Sequence, residues 1–248
     1  MKELDDSKEV IKGDLDLLSS LLLKHEICTD TSPLQKAIGH IYSNSSETAW
    51  ECKISDLIFP LNPHQHMVPH DAEFLELYLS MDLKGIYASD SLVNPLTLME
   101  FNIVVAGYNK QAEDLLAAWH FDKHEFGEDD NETTYIHPEY HFTYGGRKMW
   151  NRTDLSWGAS LILPTPRFVH PPLDAILGID FVLGNYIEKD KCHKITKLPE
   201  YKKMIYRSQL RMWRPYYLSI SNHWQKHSSR EEAMDLGLLV PNLTDRIN

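Results

Sequence analysis

Apolar residues recur at helical spacing at the start of the chain. Val10, Ile11, Leu15, Leu18, Leu22 and Ile27 sit on one side of a helix expected over residues 7–27. Thr31 or Ser32 is placed to cap a second helix, with Pro33 in its first turn and Leu34, Ala37, Ile38 and Ile41 on its apolar side. That helix stops near the polar run Ser43-Asn44-Ser45-Ser46. Residues 60–69, with three prolines, read as an extended loop.

The period then changes from helical to two. Leu75, Leu77, Leu79, Met81 and Leu83 alternate with Glu76, Tyr78, Ser80, Asp82 and Lys84, the pattern of a half-buried strand. Further strands are expected at Thr97–Tyr108, Ala117–His124, Tyr135–Tyr144 and Gly158–Leu163. Short links between consecutive strands predict an antiparallel meander of four to five strands.

After Pro171-Pro172 the run LDAILGIDFVLGNYI is apolar almost all round, which predicts a buried helix covering the sheet. Pro199 opens another helix carrying Tyr201, Met204, Ile205 and Leu210. Pro215 is expected to end it, and Tyr217–His227 to form one more. The expectation is a single α+β domain over residues 1–248: a helical start (1–45), a sheet (73–163) and a helical cover (171–228).

Composition agrees with a packed chain. Of 248 residues, 42% are hydrophobic and 25% charged, which excludes a disordered, collagenous or rod-like protein. No apolar run of about 18 residues exists to span a membrane, and the acidic start does not read as a signal peptide. Cys28, Cys52 and Cys192 are odd in number and far apart, so the expected setting is a reducing cytoplasm.

Charge is unevenly placed. The net value is −11, yet residues 189–214 hold nine basic and two acidic residues, a local +7 that leaves −18 on the rest. An acidic bulk repels nucleic acid, while a basic segment can still meet phosphate. Lys202, Lys203, Arg207, Arg211 and Trp213 are the candidate binding residues, because basic and aromatic types interleave there as they do on nucleic-acid surfaces. Trp213, Tyr216, Tyr217 and Trp224 also suggest an aromatic patch for a protein partner.

One place gathers groups suited to chemistry. On a strand, His120, Asp122 and His124 share a face, as do His137, Glu139, His141 and Thr143 on the next. Pairing of the two strands brings these side chains together with Glu100 and Asn102. Three readings follow: a solvated polar face; an acid–base site built on His120, Asp122, His137 and His141; or a divalent metal held by His120, Asp122, His124 and His141. Arg167, in the proline-rich stretch 164–172 with His170, is a candidate charge stabiliser, or else pairs with Asp174 at the next helix start. Gly145-Gly146 permits a tight turn beside the site.

The strand texts AWHFDKH and HPEYHFTYGG, with an HPxxH…GG pattern, resemble small uncharacterised bacterial proteins with RelE-like toxin outlines. Some of those cluster with toxin–antitoxin or phage-defence genes. The resemblance covers about residues 74–146 and implies either RNA cleavage by acid–base groups or an accessory role in a defence complex. The acidic balance here differs from ribosome-dependent toxins, which are basic. Two functions are therefore expected: a binding component engaging a protein partner, or nucleic acid through 189–214, with no membrane contact; or a nuclease-like enzyme cleaving phosphodiesters.

Overall fold

The computed structural model describes residues 8–64, 68–87, 94–123, 138–150, 152, 155 and 167–226. The period-two segments form a six-stranded antiparallel sheet: β1 (Ala49–Leu61), β2 (Ala72–Ile86), β3 (Leu96–Asn109), β4 (Asp114–Lys123), β5 (Tyr140–Tyr144) and β6 (Phe168–Val169). Spatial order follows chain order, β1-β2-β3-β4-β5-β6, as the short links predict. The strand expected at Gly158–Leu163 lies outside the described residues, as do Tyr135–His137 of the strand expected before it.

β1 was not visible in the alternation, and a bulge is the reason. Trp50, Cys52 and Ile54 are buried, then Leu57 and Phe59. The register shifts between Ile54 and Leu57, and Asp56 adopts a positive φ of 52°. The extra residue flips the parity of the strand, so one buried face is written in two phases.

Helices flank the sheet in sequence: α1 (Lys8–Lys24), α2 (Ser32–Asn44), the short α3 (Arg147–Trp150), α4 (Ala175–Tyr186), α5 (Lys189–Thr196) and α6 (Pro199–Lys226). Leu15, Leu18 and Leu22 of α1, Leu34 and Ile41 of α2, and Ile179, Val182 and Leu183 of α4 join one core cluster with Leu77, Leu79, Met81, Phe101 and Phe121 of the sheet. The helices from both ends of the chain thus cover the same sheet face. The all-round apolar run forms α4 and packs closely: a Cβ on Gly178 would lie 2.3 Å from Met81 Cε and 2.8 Å from Phe101.

Three local expectations change. Thr31 precedes α2 but makes no capping bond; its hydroxyl accepts a 2.8 Å bond from Ser19 instead. Pro215 does not end a helix, because α6 continues through it. The buried positions Met204, Ser208, Met212, Tyr216 and Ser219 form one stripe on both sides of Pro215, and tertiary packing of that stripe overrides the lost N–H. The cation found at Asp174 is Arg211.

Asp174 ties the helical layer together. Its Oδ1 accepts from the backbone N–H groups of Ile176 (3.1 Å) and Leu177 (2.9 Å), capping α4, and also from the Ser208 hydroxyl. Its Oδ2 accepts from Arg211 Nη2 at 3.1 Å, with both side chains buried. Trp213 Nε1 donates to the Pro172 carbonyl at 3.0 Å, and Arg207 forms a two-point pair with Asp14 of α1. Removing one partner of a buried pair strands the other and costs about 3–5 kcal/mol. Arg211→Ala is therefore expected to lower Tm by about 10 °C, at ~2–4 °C per kcal/mol in a chain of this size. Lys203→Ala, on the exposed side of the same helix, is expected to leave Tm within about 1 °C. Thermal unfolding of the two variants checks the contrast.

Candidate functional site

The histidine-bearing segment forms β4, and alternation sends Phe121 to the helical core while His120 and Asp122 point to the opposite, outer face. Pairing places His120 between Asn102 of β3 and Thr143 of β5. It places Asp122 between Glu100 and His141 in the same way. His120, Asp122, His141 and Thr143 therefore share the outer face, as the sequence predicts. His124 and His137 lie outside the described residues.

His120 Nε2 stands 3.4 Å from Asp122 Oδ2, with 26% and 36% of the two side chains exposed. Gly145 and Gly146 turn the chain back at φ 89° and 67°. A Cβ on Gly146 would lie 2.7 Å from His120 Nδ1, so the bare glycine backbone seats the imidazole. α3 then folds over β4 with Met149 buried, and Arg152 Nη2 reaches Asp114 Oδ2 at 3.1 Å.

His141 is buried, and its Nδ1 lies 2.9 Å from the Pro138 carbonyl. A neutral His141 donates that Nδ1 proton, leaving Nε2 as the basic atom. Thr143, directly across from His120, buries a hydroxyl with no hydrogen-bond partner among the described residues. Toward the sheet's other edge the same row continues through Glu100 and Asp82 to Lys53, whose Nζ is 2.7 Å from Asp82 Oδ2.

Glu139 does not join this face. β5 begins only at Tyr140, so strand parity does not reach back to Glu139. Its Oε1 accepts from Asn94 Nδ2 at 2.9 Å and lies 3.5 Å from Lys123 Nζ, while Asn94 Oδ1 accepts from the Tyr140 hydroxyl at 2.7 Å. Tyr140 faces the helices, with its ring 6.2 Å from that of Tyr216 on α6. Burial pushes the Glu139 carboxyl up to about 7, against the smaller downward pull of Lys123 and Asn94. No sequence motif joins Lys123, Asn94 and Glu139, since Lys123 and Glu139 lie at opposite ends of the β4–β5 connection and Asn94 at the end of the β2–β3 connection.

The proline-rich stretch has a structural use. His170 Nδ1 sits 2.6 Å from the Pro171 carbonyl, and its ring stands edge-on to Phe121, Phe142 and Phe181 at 5.3, 5.2 and 5.7 Å. Burial holds its pKa below the ordinary histidine value. Arg167 is half-buried and lies two residues before Val169, the β6 partner of His141.

Among the described residues, no group of three or more His, Cys, Asp or Glu side chains is placed to hold a metal ion. The basic set also changes. Lys202 and Lys203 are exposed, but Arg211 is buried against Asp174, Arg207 pairs with Asp14, and Trp213 is bonded to Pro172. The aromatic patch separates too: Tyr216 is buried, Tyr217 is exposed, and the side chain of Trp224 lies outside the description. The three cysteines are free and buried, and burial pushes the thiols of Cys28 and Cys52 up to about 12, so they are poor nucleophiles. No described helix is long and apolar enough to cross a membrane.

No family model matches the chain, and no curated protein or solved structure matches it either.

Glu139 generates a pH test. Its folded pKa of about 7 exceeds the ordinary 4.5, so its contribution to stability is present below about pH 4.5 and is lost as pH rises through 7. Glu139→Gln removes that loss. The variant is expected to gain several degrees in Tm at pH 8 relative to its effect at pH 5. An equal offset at both pH values, read by thermal denaturation, would contradict it.

Proposed function

We propose that this protein is a binding component that engages a macromolecular partner through the outward side of α6. The observation that supports this reading is the exposure of large side chains on that side. Tyr206 is 61% exposed and Tyr217 53%, and Leu218 is also exposed. Lys203, Tyr206, Leu210, Arg214 and Tyr217 follow one another at spacings of three and four, so they share a side of the helix. Met204, Ser208 and Arg211 occupy the opposite, buried side. Exposed tyrosines beside cations are the side chains that anchor interfaces. The resemblance of AWHFDKH and HPEYHFTYGG to defence-associated bacterial proteins supports an accessory role in such a complex.

The test is comparative purification from producing cells. The wild-type protein is expected to elute with a partner that the double variant Tyr206→Ala/Tyr217→Ala loses, with Tm unchanged within about 2 °C. Identical elution of both proteins as free monomer would overturn the reading.

A second reading, acid–base cleavage of phosphodiesters, is favoured by the 3.4 Å approach of His120 Nε2 to Asp122 Oδ2. In it the Asp122 carboxylate stabilises a His120 imidazolium, His141 supplies a second imidazole, and Arg167 stabilises developing negative charge. Loss of a general acid–base group costs about 10²–10⁴-fold in rate. His120→Ala is expected to lower hydrolysis of bis(p-nitrophenyl) phosphate by that factor while Tm stays within a few degrees. A wild-type protein inert toward this substrate and toward RNA would remove the enzyme reading.

A further inference from the structure

The α5–α6 ridge carries a selection of charge that names its partner class. Two of the nine basic residues between 189 and 214 are tied to carboxylates of the fold, the part-exposed Arg207 to Asp14 and the buried Arg211 to Asp174. Lys191 leans on Glu188 at 3.7 Å. Lys189, Lys194, Lys197, Lys202, Lys203 and Arg214 stay exposed. Asp190 and Glu200 are the acidic residues of this stretch, and the remainder of the chain carries a net −18.

We propose that this ridge binds single-stranded nucleic acid, its lysines following the phosphates and Tyr206 and Tyr217 stacking on bases. The inference rests on the binding reading above and gives that partner a chemistry. Polyanion binding follows from the charge: a local excess of exposed cations stands in an acidic protein that repels phosphate elsewhere. One observation favours nucleic acid over an acidic protein. The exposed aromatic rings lie among these cations, where unpaired bases stack with little regard to sequence. Tyr206 and Tyr217 are eleven residues apart, ~16 Å along the helix, so one strand can reach both. Paired bases hide their faces, which selects single strands over duplex.

The experiment is fluorescence anisotropy of the full chain with a labelled 20-nucleotide oligo-dT, the matching duplex and a labelled oligoglutamate peptide. Oligo-dT is expected to bind more tightly than either of the others. With about four phosphates neutralised, its affinity falls about 50-fold between 50 and 200 mM salt. Lys202→Glu/Lys203→Glu is expected to weaken binding at least tenfold and flatten the salt slope. Tyr206→Ala/Tyr217→Ala weakens it at least about 30-fold and leaves the slope unchanged, the signature of stacking. Lys36→Glu, on α2, leaves binding as it was. Oligoglutamate bound as tightly as oligo-dT, with no effect of the tyrosine variant, overturns the nucleic-acid inference. No binding of oligo-dT at 50 mM salt also overturns it. In either case a co-eluting partner lost in the tyrosine variant keeps the binding reading standing.

Discussion

Asp174 is a single carboxylate on which the helical layer closes. It lies where the proline-rich stretch ends and α4 begins, and it satisfies two backbone N–H groups that no earlier helical turn can serve. Its other oxygen holds Arg211, buried under α6, and Ser208 comes to the same carboxylate from one turn earlier. The contact therefore sets both the start of α4, which covers the sheet, and the side that α6 turns toward α4. A buried charge pair is tolerable because each charge meets the other and because Asp174 is further satisfied by backbone and hydroxyl donors.

That rotation decides what α6 shows to solvent. With Arg211, Ser208 and Met204 turned inward, Tyr206, Tyr217 and the lysines are turned outward. The arginines that look most like a binding motif in the sequence became structural ties, and the surface kept lysine and tyrosine.

The sheet separates two environments around β5. On the outer face, His120, Asp122, His141 and Thr143 gather beside a glycine turn that leaves room for the His120 ring. On the helical face, one residue before the strand begins, Glu139 is buried with Lys123, Asn94 and Tyr140. Groups adjacent in sequence thus meet different solvation. On the outer face His120 and Asp122 stay partly exposed while His141 and Thr143 are buried, and on the helical face burial pushes the Glu139 carboxyl toward neutral pH.

The alternation of Leu75 to Leu83, the helical spacing of Leu15 to Leu22 and the apolar run of α4 were enough to predict the α+β class, the meander and the helical cover. Each rests on a local period repeated over many residues, and burial of one face enforces it. The shared face of His120, Asp122 and His141 was legible for the same reason. β1 was hidden by its bulge, and the position of Glu139 by the point at which β5 starts. The choice of Arg211 for Asp174, the pairing of Arg207 with Asp14 and the Glu139–Lys123–Asn94 contact join positions that no local period relates. Only the packing of distant elements brings them together, because ion pairing and desolvation depend on distance in space rather than separation along the chain.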